Sequence, residues 1–251
     1  MATWAVALAG STGATDVWDD DPHEFMAQSE SAAAKFDFYV FAYSWQAEFC
    51  HGKSYPGCAN PEPYWETHFT IHGLWPDVEK GSHPGFCTSE AFNSNYAQRS
   101  ASRCLSNTGP MSRIWDHEGK RHGTCSGLDQ ITYFKAAIQK IQEHSTPDFI
   151  VHNVGQLVSS NAVRNAFGGL KYAALQCNGD RLAEVYTCYN KGKKNRPTTR
   201  RPCPPSVLSG DTCKTSYWIW IPNFEVTPAT LEELVHDKSC RSSTDILSHA
   251  L

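Results

Sequence analysis

The chain has 251 residues, with 22 Lys and Arg against 26 Asp and Glu and a formal net charge of −4. That length can bury a substantial core in one large domain or two small ones. The charge balance excludes a protein that holds polyanions by bulk positive charge, so any grip on nucleic acid must come from a local pocket.

A hydrophobic fraction of 40%, with 8 Trp, 10 Tyr and 12 Phe, reads as an aromatic-rich globular protein. No stretch approaches the length of a transmembrane helix. Residues 1–14 are mildly apolar but lack a basic n-region and a long apolar h-region. They read as a weak or truncated signal, or as a non-native extension. Residues 15–34 are acidic, then small, and continue this leader, so the expected division is a leader over 1–35 and one domain over 36–251.

Phe36–Trp45 is rich in aromatic and β-branched residues and predicts the first strand. Cys50–Tyr64, with Gly, Pro and two cysteines, predicts a stapled loop, and His68–Leu74 a second strand ended by Trp75-Pro76-Asp77. Residues 78–110 are loop-rich with room for one short helix. Ile114–Cys125 predicts a helix that stops at Gly123, and residues 129–143 form the clearest amphipathic helix, with Asp129 as N-cap. Val154–Phe167 predicts another helix, closed by Gly168-Gly169, and Lys171–Cys177, Leu182–Asn190 and Tyr217–Pro222 predict strands. Lys191–Arg201 holds six cations in eleven residues and reads as a solvated flexible loop, or alternatively as a phosphate-attracting flank. Strands, then helices, then strands predict an α+β domain with a largely antiparallel sheet.

The ten cysteines lack the paired Cys-x-x-Cys spacing of zinc ribbons, which points to disulfides and an oxidising compartment, secreted or lumenal. There is no Asn-x-Ser/Thr sequon to add to that.

Two segments concentrate the chemistry: Phe69-Thr-Ile-His-Gly-Leu-Trp-Pro-Asp77 and Trp115-Asp-His-Glu-Gly-Lys-Arg-His-Gly-Thr-Cys125. Histidine both gives and takes a proton near neutral pH. On a helix, His117, Glu118, Arg121 and His122 share one broad face, with Gly119 and Lys120 toward the other side. Such a face suits a phosphoryl centre: the guanidinium stabilises anionic oxygens and an imidazole moves a proton, with His72 as a second proton-handling group. A zinc protease helix needs histidines four apart, and here they are five apart, which disfavours a metal site.

Ile-His-Gly-Leu-Trp-Pro followed by His-Glu-x-x-x-His-Gly-Thr-Cys resembles the two active-site segments of the ribonuclease T2 family, acid endoribonucleases that include plant S-like and S-RNases. The resemblance runs from about Phe36 to at least Cys213. It implies cleavage of single-stranded RNA without a cofactor or metal, the 2′-OH attacking its own 3′-phosphate to leave a 2′,3′-cyclic phosphate. It also implies that His122 is the general base, His72 the general acid and His117 a phosphate ligand, with Glu118 and Arg121 stabilising the transition state. Trp75, Asp77, Tyr43 and Trp45 become candidates for contact with the bases, core packing being the competing explanation for Trp45. The implied disulfides are Cys50–Cys58, Cys87–Cys125, Cys188–Cys203 and Cys177–Cys213, leaving Cys104 and Cys240.

The family usually reads His-Glu-Trp-x-Lys-His-Gly, whereas this chain has Gly119 and Arg121 at the Trp and Lys positions. Arg keeps the charge in a bulkier fork. Two readings follow: an active secretory or vacuolar enzyme, and a non-catalytic storage or RNA-binding relative. Nothing in the sequence demands more than a monomer, and a two-histidine scheme predicts activity that peaks on the acidic side of neutrality.

Overall fold

Phe38–Ser44 (β1) is buried along its whole length because both of its faces are covered. Tyr39, Phe41 and Tyr43 enter the main core, while Phe38 and Val40 join Cys188 and Cys203 on the other face. The computed structural model describes residues 35–53, 55–93, 111–214 and 217–224. The expected leader over 1–35, apart from Lys35, and Cys104 and Cys240 lie outside the described residues.

Thr70–Asp77 (β2) pairs antiparallel with β1. It runs three residues beyond the expected end, through Pro76. Proline has no N–H for a ladder but is accepted on an edge strand, and β2 is the edge of the sheet. The segment then enters Met111–Glu118 (α1), continues through a π-helical turn over Gly119–Gly123, and closes with Thr124–Ser126. The predicted stop at Gly123 is therefore too early. The true terminator is Gly127, whose φ of 66° is the left-handed conformation that ends helices.

Gln130–Glu143 (α2) forms as expected, with Asp129 accepting from the Thr132 N–H at 2.9 Å. It buries Tyr133, Phe134, Ala136, Ala137, Lys140 and Ile141, one broad face at helical spacing. Tyr133 donates to the Leu74 carbonyl at 2.8 Å and fixes α2 on β2.

The helix expected over Val154–Phe167 is half strand. Gly155, with φ of 73°, breaks the run. Gln156–Ser159 (β3) then pairs with a later strand, and only Ser160–Ala166 (α3) is helical. Ala174–Asn178 (β4), Arg181–Lys191 (β5), Pro197–Arg201 (β6) and Trp218–Ile221 (β7) complete the fold.

The seven strands form one sheet of order β2-β1-β5-β7-β3, with β4 and β6 also on β5. All pairs are antiparallel except β5–β7. The cationic stretch 191–201, expected to be flexible, is a hairpin: β-branched Thr198 and Thr199 suit a strand, and the Cys188–Cys203 disulfide pins β6 beside β5. Disulfides also join Cys50–Cys58, Cys87–Cys125 and Cys177–Cys213, as the resemblance implied. The result is an α+β fold in which α2 and α3 pack on the main core face of the sheet and the two motif segments meet at its edge.

Candidate active site

His72 stands where the β1–β2 register slips. Ala42 faces Gly73 and Tyr43 faces Ile71, so His72 has no partner on β1. A bulge of this kind re-aims a side chain. His72 Nδ1 lies 2.7 Å from Glu184 Oε1 on β5, and its Nε2 lies 3.9 Å from Glu118 Oε1. Burial opposes its charge, but the two carboxylates outweigh it and raise the imidazole to about 9.

The second histidine depends on the π turn. Successive residues of an α-helix are about 100° apart, so His117 and His122, five apart, would diverge by about 140°. In the turn over Gly119–Gly123 the Thr124 N–H reaches the Gly119 carbonyl, an i to i−5 bond, and the two imidazoles come to 6.4 Å between ring centres. The neighbouring carbonyls are taken up from elsewhere: Thr124 Oγ1 donates to Lys120 at 2.7 Å, and the Phe86 N–H to Arg121 at 2.9 Å. Cys87, disulfide-bonded to Cys125, donates its N–H to Thr124 Oγ1. The 86–87 segment thus clamps the irregular turn.

His122 is buried, and its Nδ1 finds no hydrogen-bond partner among the described residues. Desolvation, then the cations of Arg121, His117, His72 and His83, push its pKa well below the ordinary range. The surroundings thus favour the charged form of His72 and the neutral form of His122.

Trp75 joins them. Its ring stacks on His122 at 5.3 Å, meets His72 edge-on at 5.2 Å, and is met by Tyr186 at 5.3 Å. Its indole N–H donates to Glu118 Oε2 at 2.8 Å. Glu118 is buried and raised to about 7, by desolvation above all, against the pull of His72 and the indole. Gly73 makes this contact possible: a Cβ there would lie 2.0 Å from Glu118 Oε2 and 2.2 Å from Trp75 Nε1.

Arg121 lies 5.7 Å over the Phe86 ring, which also meets His117 at 6.4 Å. A planar guanidinium suits an aromatic face better than an ammonium does. Phe86 thus gives a physical reason for Arg rather than Lys here. Lys120 is turned to Asp116, 2.7 Å away, and does not substitute for it.

The structure brings together His72, Trp75, His117, Glu118, Arg121 and His122. It does not bring Tyr43 or Trp45, and this corrects the expectation that they meet the bases. Both have no exposed surface. Tyr43 donates to the His144 carbonyl and Trp45 to that of Pro222, so both belong to the core. Asp77 accepts from the Val78 N–H at the strand end. Trp75 is packed among three rings, so its contacts are those of a spacer more than of a base platform.

Missed at the level of sequence were Gly73, Phe86, Glu184 and Tyr186. Glu184, one polar residue among the apolar residues of a strand, was the only one with a visible signal. Donor atoms of His117, Glu118 and His122 lie within 4.8 Å of one another and could hold a metal ion.

Three histidines, a guanidinium and a buried carboxylate are thus gathered at the edge of an α+β sheet. The family model for the ribonuclease T2 family matches residues 36–198, and the chain belongs to that family as a T2-type endoribonuclease. Ribonuclease DdI of Dictyostelium discoideum is 33% identical over 178 residues, 64% of this chain and 77% of that one. Extracellular ribonuclease LE of Solanum lycopersicum is 30% identical over 216 residues, 74% of this chain and 87% of that one. Among solved structures, an RNase-related protein from Calystegia sepium shares the fold, with a TM-score of 0.58 and 21% identity over 75% of this chain and 98% of that one. A ribonuclease MC1 variant in complex with 5′-GMP has a TM-score of 0.52 and 26% identity, covering 62% of this chain and 90% of that one.

Proposed function

We propose that this ribonuclease cleaves single-stranded RNA by transesterification, without a metal. Neutral His122 takes the proton of the 2′-OH, and O2′ attacks the adjacent phosphorus. The P–O5′ bond breaks as His72 gives its proton to the leaving O5′, and a 2′,3′-cyclic phosphate remains. His117 and Arg121 face the phosphate oxygens, and Glu118, neutral below about 7, offers a further hydrogen bond to the crowded phosphorane.

The observation that carries this reading is the placement of two histidines on either side of Trp75, His72 between the Glu184 and Glu118 carboxylates and His122 beside His117. A general acid must begin protonated and a general base neutral, and the environments supply both. The four disulfides support a secreted or lumenal monomer, as does the likeness to an extracellular relative.

The test is cleavage of single-stranded RNA at mildly acidic pH with EDTA, beside His72→Ala and His122→Ala, scored for 2′,3′-cyclic ends. Cyclic ends that persist in EDTA and vanish in both variants are expected. Cleavage abolished by EDTA and restored by a divalent cation would overturn the metal-free scheme. Intact RNA with a folded protein would instead favour the non-catalytic reading.

A further inference from the structure

We infer that Glu184 is the positioning residue of the acid histidine: its carboxylate holds His72 at Nδ1, so that the Nε2–H faces the leaving oxygen. This rests on the reading of His72 as the general acid, and deepens it with a residue from outside both motif segments.

The argument begins with the strand between them. Neighbouring strands are about 4.8 Å apart, so residues on β2 and β5, two strands apart, meet only if the side chains of β1 leave room. On this face β1 presents Ala42 and Ser44, its two smallest residues, with Ser44 directly opposite Glu184 and Ala42 opposite Tyr186. His72 and Glu184 reach across them to 2.7 Å.

Both ends of the contact lie beside a register slip. His72 is skipped in the β1–β2 pairing, and Ala183, immediately before Glu184, is skipped in the β4–β5 pairing, where Gln176 faces Glu184 and Cys177 faces Leu182. Glu184 is in turn held by the Tyr186 hydroxyl, which donates to its other oxygen at 2.6 Å. Two irregular strand positions and a supporting tyrosine thus converge on one imidazole nitrogen.

The titratable groups around His72 are Glu184 from β5, Glu118 from α1 and, beyond Trp75, His122 from the π turn. Glu118 stands on the Nε2 side at 3.9 Å and is bonded to Trp75, so it does not fix the ring at Nδ1. A ring held at its Nδ1 side against a carboxylate presents its other nitrogen in a defined direction.

The experiment varies the leaving group. A dinucleoside phosphate leaves as an alkoxide and needs the acid, whereas a nucleoside 3′-(p-nitrophenyl phosphate) leaves as a stable phenoxide and needs it little. Glu184→Gln is expected to lower kcat/KM on the dinucleotide by about 10- to 100-fold and on the nitrophenyl ester by less than about 3-fold. Tyr186→Phe, which keeps the carboxylate, is expected to show the same selectivity at about 2- to 10-fold. His72→Ala separates the two levels. If it fails to spare the nitrophenyl ester, the acid role itself falls. If it shows the selectivity and both Glu184→Gln and Tyr186→Phe do not, the positioning role alone falls. Equal loss on both substrates in Glu184→Gln would mark a purely structural ion pair and would also overturn the inference.

Discussion

Gly73→Ala is the sharpest perturbation this site allows, because it adds one methyl group and touches no catalytic atom by substitution. The added Cβ would lie 2.0 Å from Glu118 Oε2, 2.2 Å from Trp75 Nε1 and 2.9 Å from Glu118 Cδ. Carbon contacts settle near 3.5 Å, so the carboxylate must move by about 1.5 Å. Glu118 is 3% exposed, and the small cavity beside it is lined mostly by apolar groups of Ile71, Leu74, Trp115 and Phe134, so the carboxylate yields only by leaving the indole. The 2.8 Å bond from the indole is therefore lost. A hydrogen bond to the neutral carboxyl contributes about 0.5–1.5 kcal/mol, and the overpacked methyl costs about 1–3 kcal/mol. We expect a loss of about 2–4 kcal/mol in stability by urea unfolding, and a fall of about 10- to 100-fold in kcat/KM on a dinucleotide as Trp75 loosens between the two histidines. Stability within about 0.5 kcal/mol of the parent, with unchanged kcat/KM, would refute the argument that this glycine exists to let Glu118 reach Trp75.

Gly119, on the other side of Glu118, should behave in the opposite way: a Cβ there meets Phe92 at 3.4 Å and Phe134 at 3.5 Å, ordinary contacts, so Gly119→Ala should be neutral or stabilise by up to about 1 kcal/mol in the same unfolding assay. Asp211 accepts from Arg164 through both oxygens and from the Leu175 and Cys213 N–H groups, all buried. Asp211→Ala should therefore cost about 3–5 kcal/mol by urea midpoint, since it strands a buried guanidinium. Removing the Cys188–Cys203 bridge, which closes 15 residues, should cost about 3 kcal/mol by the same measure. The pH–rate profile should rise as His122 loses its proton below the ordinary histidine range, then fall in two steps. The first fall comes near 7, as Glu118 ionises, and the second near 9, as His72 loses the proton it must donate. Glu118→Gln, fixed as neutral, should abolish the step near 7 and keep the other; a profile with the step near 7 intact would assign it to another group.

Much of this was legible because it follows regular periods. The all-buried β1 was visible as a run of aromatic and β-branched residues, and α2 as apolar positions at helical spacing above an Asp cap. The failures share one cause, which is pairing across distance. Gln156–Ser159 is locally compatible with helix and becomes a strand only because Trp218–Ile221 lies beside it. Pro197–Arg201 looks solvated until Cys203 ties it to Cys188. Tyr43 points from β1 into the main core and Trp45 follows that strand into the same core, a placement that no motif shows.

The two histidines illustrate why the site was easier to name than to build. Both were identifiable by residue type, yet neither would be correctly aimed by a regular element. An ideal strand would pair His72 with β1, and an ideal α-helix would turn His122 away from His117. Each is instead placed by an irregularity: one residue too many in a strand, and one turn closed at i−5 in a helix. Such irregularities cost stability and persist where surrounding contacts over-determine them. Here those contacts are residues outside the motif cores: Glu184 and Tyr186 behind the strand, and Phe86, Cys87 and Thr124 around the turn. The same logic accounts for Arg121. The proposed chemistry calls for a cation at that position, but which cation depends on the ring beneath it, and Phe86 comes from a loop tied down by the disulfide that also steadies the turn.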